Sequence, residues 1–318
     1  MWWKITLIVV SIIIILAIIG GIGFFIYISS YMAKKMCEPK HYITNEEKEQ
    51  YLGEVGLVDG VDEYSRTPIQ FVMKDGYVIH GDYSLNNPKK FVICMHGHSS
   101  LRGGSVKYAY AFYRLGYSLI FYDHRSHGDN QRDYVTMGYR ESLDALEIIE
   151  QVKQKFGSDI EIGLFGVSMG GHTALMCVDR AQDLSFVVSD CGFASVEHLV
   201  RGFIKQHHSP IFPILPLTNH FLKKKYHFSF KDASALERIK NNKDVPILII
   251  HGKDDDFVYA KNAELLYNNC GGIKQLEMFD HAKHCESIVV DKDRYYKVIE
   301  NFIKQYGGHK HGKTENGR

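Results

Sequence analysis

The chain has 318 residues, of which 45% are hydrophobic, 13% aromatic and 24% charged. Apolar content at that level excludes a chain disordered throughout, because it suffices to bury a core. With 38 Lys and Arg against 37 Asp and Glu, the formal net charge of +1 supplies no basic field, and no nucleic-acid partner is expected.

The first element is an uninterrupted apolar run from Ile5 to Ile28 without a charged residue. As a helix its roughly 24 residues reach about 36 Å, more than the roughly 30 Å hydrocarbon core of a bilayer. Trp2, Trp3, Tyr27 and Tyr31 stand at its ends, where amphipathic rings favour the membrane interface. The run is too long for a typical signal-peptide core, and Ser29 to Ala33 is a poor cleavage site, so residues 1–35 read as a retained single-pass anchor. Lys34, Lys35 and Lys40 on one side against Lys4 on the other lean toward a cytoplasmic globular part. The six cysteines show no CxxC and no dense framework, which agrees with a reducing compartment.

Residues 36–62 are polar and charged, as in a juxtamembrane linker or short helix. From residue 63 to 306, strand-like and helix-like segments alternate as in a mostly parallel sheet covered on both faces, an α/β architecture. Ile69–Met73 and Tyr77–Tyr83, divided by Lys74-Asp75-Gly76, predict a hairpin. FVICM (91–95), SLIFY (118–122), Ile160–Phe165, Ser185–Ser189, PILII (246–250) and Ile273–Phe279 read as further strands. Helices are expected over Val106–Leu115, Glu141–Phe156, Gly170–Cys177 and about Glu286–Ile303. The stretch from about 192 to 243 breaks this rhythm and carries Pro210, Pro213 and Pro216 in an apolar segment. It reads as a cap over the carboxyl ends of the strands, where open α/β sheets bind ligands. Residues 307–318 lack apolar side chains and are expected to be disordered.

Gly166-Val167-Ser168-Met169-Gly170 is a GxSxG placed where a strand gives way to a helix. Such a turn lifts a serine Oγ clear of the backbone beside the amides of a helix N-terminus, so Ser168 is the expected nucleophile. A serine needs a base and a carboxylate to orient it, in the chain order Ser, acid, His. Asp254, Asp255 and Asp256 follow the PILII strand, and one of them should face the site. His281 and His284 lie in the loop before the last helix, the expected place for the base. The second oxyanion donor beside the amide of Met169 should come from the loop after FVICM.

These residues resemble the α/β-hydrolase superfamily over roughly Gln70 to Tyr306. HGHSS (96–100), YDHRSHG (122–128), YVTMGYRESLDA (134–145), GVSMGG and HGKDDDFV are similar to anchored or secreted bacterial hydrolases of the dipeptidyl-peptidase/esterase-like group. The resemblance implies Asp255 as the acid, through the pattern HGxxDxxV, His284 as the base, and the His98 amide as the second oxyanion donor. Asp254, Asp256 and His281 read as surface loop residues; Asp190, at the end of its strand, stands where some members of this fold carry their acid and reads as a brace for neighbouring loops, and Asp123, Arg125 and His127 match a family loop whose charges tie loops together. His172 reads as a packed helix histidine; the adjacent His207 and His208 project apart and complete no metal site. Cys285 is no second nucleophile in this reading. No GxxxxGK[ST] phosphate loop occurs.

The expected activity is serine hydrolysis of a carboxylic ester, with a small-molecule or lipid-like acyl substrate suggested by the apolar cap and the anchor. No metal or organic cofactor is required. The alternatives are a serine peptidase of the same fold, an acyltransferase, and a catalytically idle membrane-tethered binding protein.

Overall fold

The computed structural model describes residues 2–39, 44–54, 65–181 and 183–308. Of the polar stretch after the anchor, 40–43 and 55–64 lie outside the described residues, as does the tail from 309 onward.

Eight strands form one sheet in the order β1-β2-β4-β3-β5-β6-β7-β8. β1 (Thr67–Val72) and β2 (Val78–Ser84) form the hairpin that Lys74-Asp75-Gly76 predicts, and both are antiparallel additions at one edge. The other six are parallel: β3 (Lys90–Met95), β4 (Ser118–Tyr122), β5 (Glu161–Val167), β6 (Leu184–Asp190), β7 (Ile247–Gly252) and β8 (Lys274–Phe279). Covering both faces of such strands demands apolar residues at consecutive positions. In β3 the alternation divides them: Phe91, Ile93 and Met95 enter one core, Val92 and Cys94 the other.

The first core is closed by α4 (Tyr139–Phe156), α5 (Met169–Met176), α8 (Ala235–Ile239) and α9 (Lys261–Asn269). The second is closed by α3 (Val106–Arg114) and α11 (Lys292–Tyr306). In α4 the buried stripe is Ala145, Ile148, Ile149 and Val152, while Leu143 is exposed. The helix expected over Glu286–Ile303 divides at Asp291 into α10 (Ser287–Val290) and α11, because the Asp291 side chain caps the second helix by accepting from the Arg294 N–H.

The register sets the carboxyl ends of the parallel strands along one edge: Met95 beside Gly166, Val167 beside Asp190, Asp190 beside Ile250, and Gly252 beside Phe279. Over that edge lie α6 (Val196–Gln206) and α7 (Ile211–Tyr226). They share a third apolar cluster with the end of α1 (Trp2–Cys37) and with Met169. Among the described residues, α1 is the one helix long and apolar enough to cross a membrane. It is exposed along its first two-thirds and buries Ser29, Met32, Ala33 and Cys37. α2 (Asn45–Glu54) returns the chain to the body, where the Asn45 side chain accepts from the Gly103 N–H and donates to Asp123.

Candidate active site

Ser168 sits between β5 and α5 with φ 55° and ψ −115°, a backbone conformation costly for any L-residue and found where surrounding structure over-determines it. The flanking glycines show what holds it there. A Cβ on Gly166 would lie 2.1 Å from the Gly170 carbonyl oxygen, and one on Gly170 2.2 Å from that of Met95. Side chains at either position would force β5, α5 and β3 apart. The Ser168 N–H donates to the Asp190 carbonyl at 2.8 Å, and the His172 N–H returns to the Ser168 carbonyl at 3.0 Å, starting α5.

The three residues expected to act together meet. Ser168 Oγ lies 2.9 Å from His284 Nε2, and His284 Nδ1 lies 2.8 Å from Asp255 Oδ2. With Nδ1 protonated, Nε2 accepts the serine hydroxyl hydrogen. Asp255 is fixed by its own turn, its Oδ1 accepting from the N–H groups of Phe257 at 3.0 Å and Val258 at 2.8 Å. Asp254 and Asp256 are exposed, and His281 stands at the surface 3.7 Å from Asp254.

Burial alone would raise the Asp255 carboxyl, yet hydrogen bonds from His251 and His284 hold it down at about 2. Nothing in the sequence singles out His251. Its Nε2 lies 3.2 Å from Asp255 Oδ2 and donates to the Val258 carbonyl at 2.6 Å. Four residues apart along a strand, the two would not meet; the turn at Lys253-Asp254 folds the carboxylate back.

His284 is raised above the ordinary histidine range: burial opposes this, but Asp255 and then Cys285 outweigh it. The Cys285 thiol is correspondingly held low, first by its contact with Cys191 and, against burial, by His284. The two sulfurs are 3.4 Å apart, each in left-handed backbone at a strand-end loop. Cys191, His284 and Cys285 present ligand atoms within 4.8 Å of one another, the one grouping among the described residues with spacing for a metal. Both His284 nitrogens are engaged by Ser168 and Asp255, so a metal there would have to displace one of them.

Met169 and the loop after β3 border the serine. A Cβ on Gly97 would lie 3.4 Å from Ser168 Cβ, which brings the Gly97 backbone against Ser168. The loop is tied down from outside: His98 Nε2 bonds the Met36 carbonyl at 2.9 Å, and the Ser99 N–H donates to His127 Nε2 at 3.2 Å. The charges of YDHRSHG act between loops. Asp123 accepts from the Arg102 N–H and guanidinium and from Asn45, and Arg125 forks onto Asp144 at 2.6 and 2.7 Å. Asp190 accepts from the Tyr295 hydroxyl at 2.9 Å. His172 is buried, donates Nδ1–H to the Phe193 carbonyl at 2.7 Å, and is pushed down to about 4 by desolvation. His207 and His208 are exposed at the end of α6.

The chain is similar to several known proteins. Residues 86–242 match the family described as serine aminopeptidase, S33. The chain is 29% identical to the protein YqkD of Bacillus subtilis (strain 168) over 255 residues, covering 78% of this chain and 82% of that one. It is 26% identical to the lysophosphatidylserine lipase ABHD12 of Danio rerio over 61% of this chain and 50% of that one. Among solved structures, the Pyrococcus furiosus esterase Pf2001 superposes with a TM-score of 0.65 at 20% identity, over 85% of this chain and all of that one. The chain has the fold of the α/β-hydrolase superfamily.

Proposed function

We propose that this protein is a membrane-anchored serine hydrolase that cleaves carboxylic esters bearing a lipid-like acyl group. The observation that carries the proposal is the unbroken hydrogen-bonded chain from Ser168 Oγ through His284 to Asp255, on a strained turn at a helix N-terminus. His284 takes the serine proton as Oγ attacks the ester carbonyl, and Asp255 holds the imidazole in its tautomer and stabilises the imidazolium. The oxyanion is received by the amides of Met169 and His98, each such donor contributing about 3 kcal/mol to the transition state. The imidazolium returns its proton to the leaving alcohol, and water repeats the sequence to release the acid.

The lipid preference draws on the apolar cluster that joins α1, α6 and α7 around Met169, next to the nucleophile. The zebrafish relative, named a lysophosphatidylserine lipase, supports the same substrate class. In this reading α1 spans the membrane once, and the lysines after it favour a cytoplasmic catalytic part. The description of the matched family as a serine aminopeptidase supports a second reading, peptide cleavage by the same residues.

The test is fluorophosphonate labelling of the full chain in detergent, beside Ser168→Ala and His284→Ala, followed by turnover of an acyl-ester chain-length series and of aminoacyl anilides. Wild type should take the label, and neither variant should. A preference for long acyl esters supports the lipid reading, whereas anilide turnover in place of esters supports the peptidase. Label retained by Ser168→Ala, or refused by folded wild type, overturns the serine-hydrolase assignment.

A further inference from the structure

Among the described residues after α1, the most exposed large apolar side chain is Phe212, 80% accessible at the start of α7. Its placement follows from its neighbours. Pro213 pushes the preceding residue out of helical backbone, and Phe212 is extended at φ −95° and ψ 132°, with Pro210 extended before it. Ile211 packs inward against the cap cluster while Phe212 projects away from it. A protein in water gains nothing by holding a phenyl ring out on a proline-stiffened corner.

The contacts of α1 locate that corner. Ser29 Oγ donates to the Ile214 carbonyl at 3.2 Å, and Glu38, just past α1, accepts from Lys225 at 2.7 Å and Tyr226 at 2.9 Å. Both pairings advance together along the chain, so α1 and α7 run side by side in the same direction. The start of α7 therefore points back along α1 toward its apolar run. Phe212, two residues before Ile214, lies near the level of Tyr27. Phe25 and Ile28, inside the apolar run, also pack against the cap cluster. The run from Ile5 to Ile28 exceeds the roughly 20 residues a bilayer core needs by about four, and of its last four residues Phe25 and Ile28 touch the cap.

We infer that the corner of the cap at Phe212 is seated in the interfacial layer of the membrane that α1 crosses, so that the lipid surface is a docking partner of the cap. The inference rests on the reading of α1 as a span. Trp2 and Trp3 at the far end and Tyr27 and Tyr31 at the near end mark the two interfaces, and Phe212 joins the near belt. Lys34 and Lys35 follow within two turns of Tyr31, at the depth of lipid headgroups. A ring at this depth is buried about 5–10 Å into the boundary between headgroups and acyl chains, which removes from water the surface the corner exposes. The cap is thereby held at fixed height above the bilayer at two points, α1 and Phe212.

The test uses the full chain reconstituted in vesicles of phosphatidylcholine and phosphatidylglycerol, with bromine on the acyl chain near the carbonyl end, near the methyl end, or absent. Trp2 and Trp3 are the only tryptophans, so Phe212→Trp in a Trp2→Phe/Trp3→Phe background reports the corner alone. Leu85→Trp in the same background is the control: Leu85 is exposed just after Ser84, which pairs with Leu119 at the start of β4, on the edge of the sheet opposite Ser168. For Phe212→Trp the expected result is strong quenching by bromine near the carbonyl end and weaker quenching by bromine near the methyl end; for Leu85→Trp it is no quenching. An unquenched Phe212→Trp variant, while Trp2 and Trp3 of the wild type are quenched, overturns the seat and leaves the span intact. Trp2 and Trp3 unquenched overturns the span, and the seat with it. Equal quenching of the Phe212→Trp and Leu85→Trp variants indicates adsorption of the whole body and overturns the specific seat.

Discussion

After Asp255, Cys285 is the side chain that most raises His284, the proposed base that it follows. Its sulfur, held low by Cys191 and His284, in turn raises the imidazole. A base works when deprotonated, so removing a group that raises His284 lets it lose its proton at lower pH. Cys285→Ala should therefore move the acid limb of the kcat/KM profile to lower pH, read with a soluble p-nitrophenyl ester. An unmoved limb would mean that the sulfur carries no charge that His284 senses. Asp255→Asn should lower turnover about 10³–10⁴-fold, because it presents the wrong partner to Nδ1 while leaving the fold intact. Ser168 was legible as a residue because its glycines and its strand-to-helix setting stand contiguous in the chain. Which of three adjacent aspartates turns inward was not legible from periodicity, since that depends on the turn whose amides, at Phe257 and Val258, hold Asp255 Oδ1. The roles of His251 and Cys191 were invisible for the same reason: each meets its partner only across a loop.

Among the elements, α1 packs into the body as well as carrying the apolar run. Phe25, Ile28, Met32, Ala33, Met36 and Cys37 belong to the cap cluster, and the Val135 N–H donates to the Cys37 carbonyl at 2.9 Å. A chain beginning at residue 38 should accordingly be less stable than one beginning at residue 24. Each large side chain lost from the cluster removes about 1.5–3 kcal/mol of burial. At roughly 2–4 °C per kcal/mol for a domain of this size, thermal unfolding of the two truncations in detergent should separate them clearly. Equal midpoints would mean that the cap packs without α1. A second tie between elements is the Arg125–Asp144 pair, which pins the loop after β4 to α4 with both side chains nearly buried. Arg125→Ala leaves the carboxylate without its fork and should cost about 3–5 kcal/mol in denaturant unfolding. The parallel strands and the helices α3, α4, α5 and α11 were legible, because apolar runs and helical stripes are local patterns, whereas the short α8 and α9 were not read. The break at Asp291 was not, since the apolar spacing runs through it and only the side-chain cap on the Arg294 N–H divides the helix.

For the molecule as a whole, the buried carboxyls set how stability depends on pH. Burial, then the nearby Cys285, raises Asp190 from 3.8 to about 7 against the hydrogen bond from Tyr295. A carboxyl raised in the folded state holds a proton that the unfolded chain has lost, so its contribution is full below about 3.8 and fades as pH rises toward about 7. Asp255 works in the opposite sense: its contribution is present above the unfolded value and is lost as pH falls toward about 2. The stability of wild type relative to Asp190→Asn should thus decline between about pH 4 and pH 7, measured by denaturant unfolding across that range; a flat difference would remove Asp190 from the account. The sequence by itself determined the apolar helix, the order of strands and helices, and the serine at its turn, because each is written in contiguous residues with a fixed period or spacing. The motif resemblance pointed to Asp255 and His284, and the tertiary structure brings them to Ser168; tertiary structure alone decided that a cysteine pair adjoins His284 and that the end of α1 packs into the cap. Those are meetings of residues from different loops, and they depend on the sheet register that brings distant strand ends to one edge.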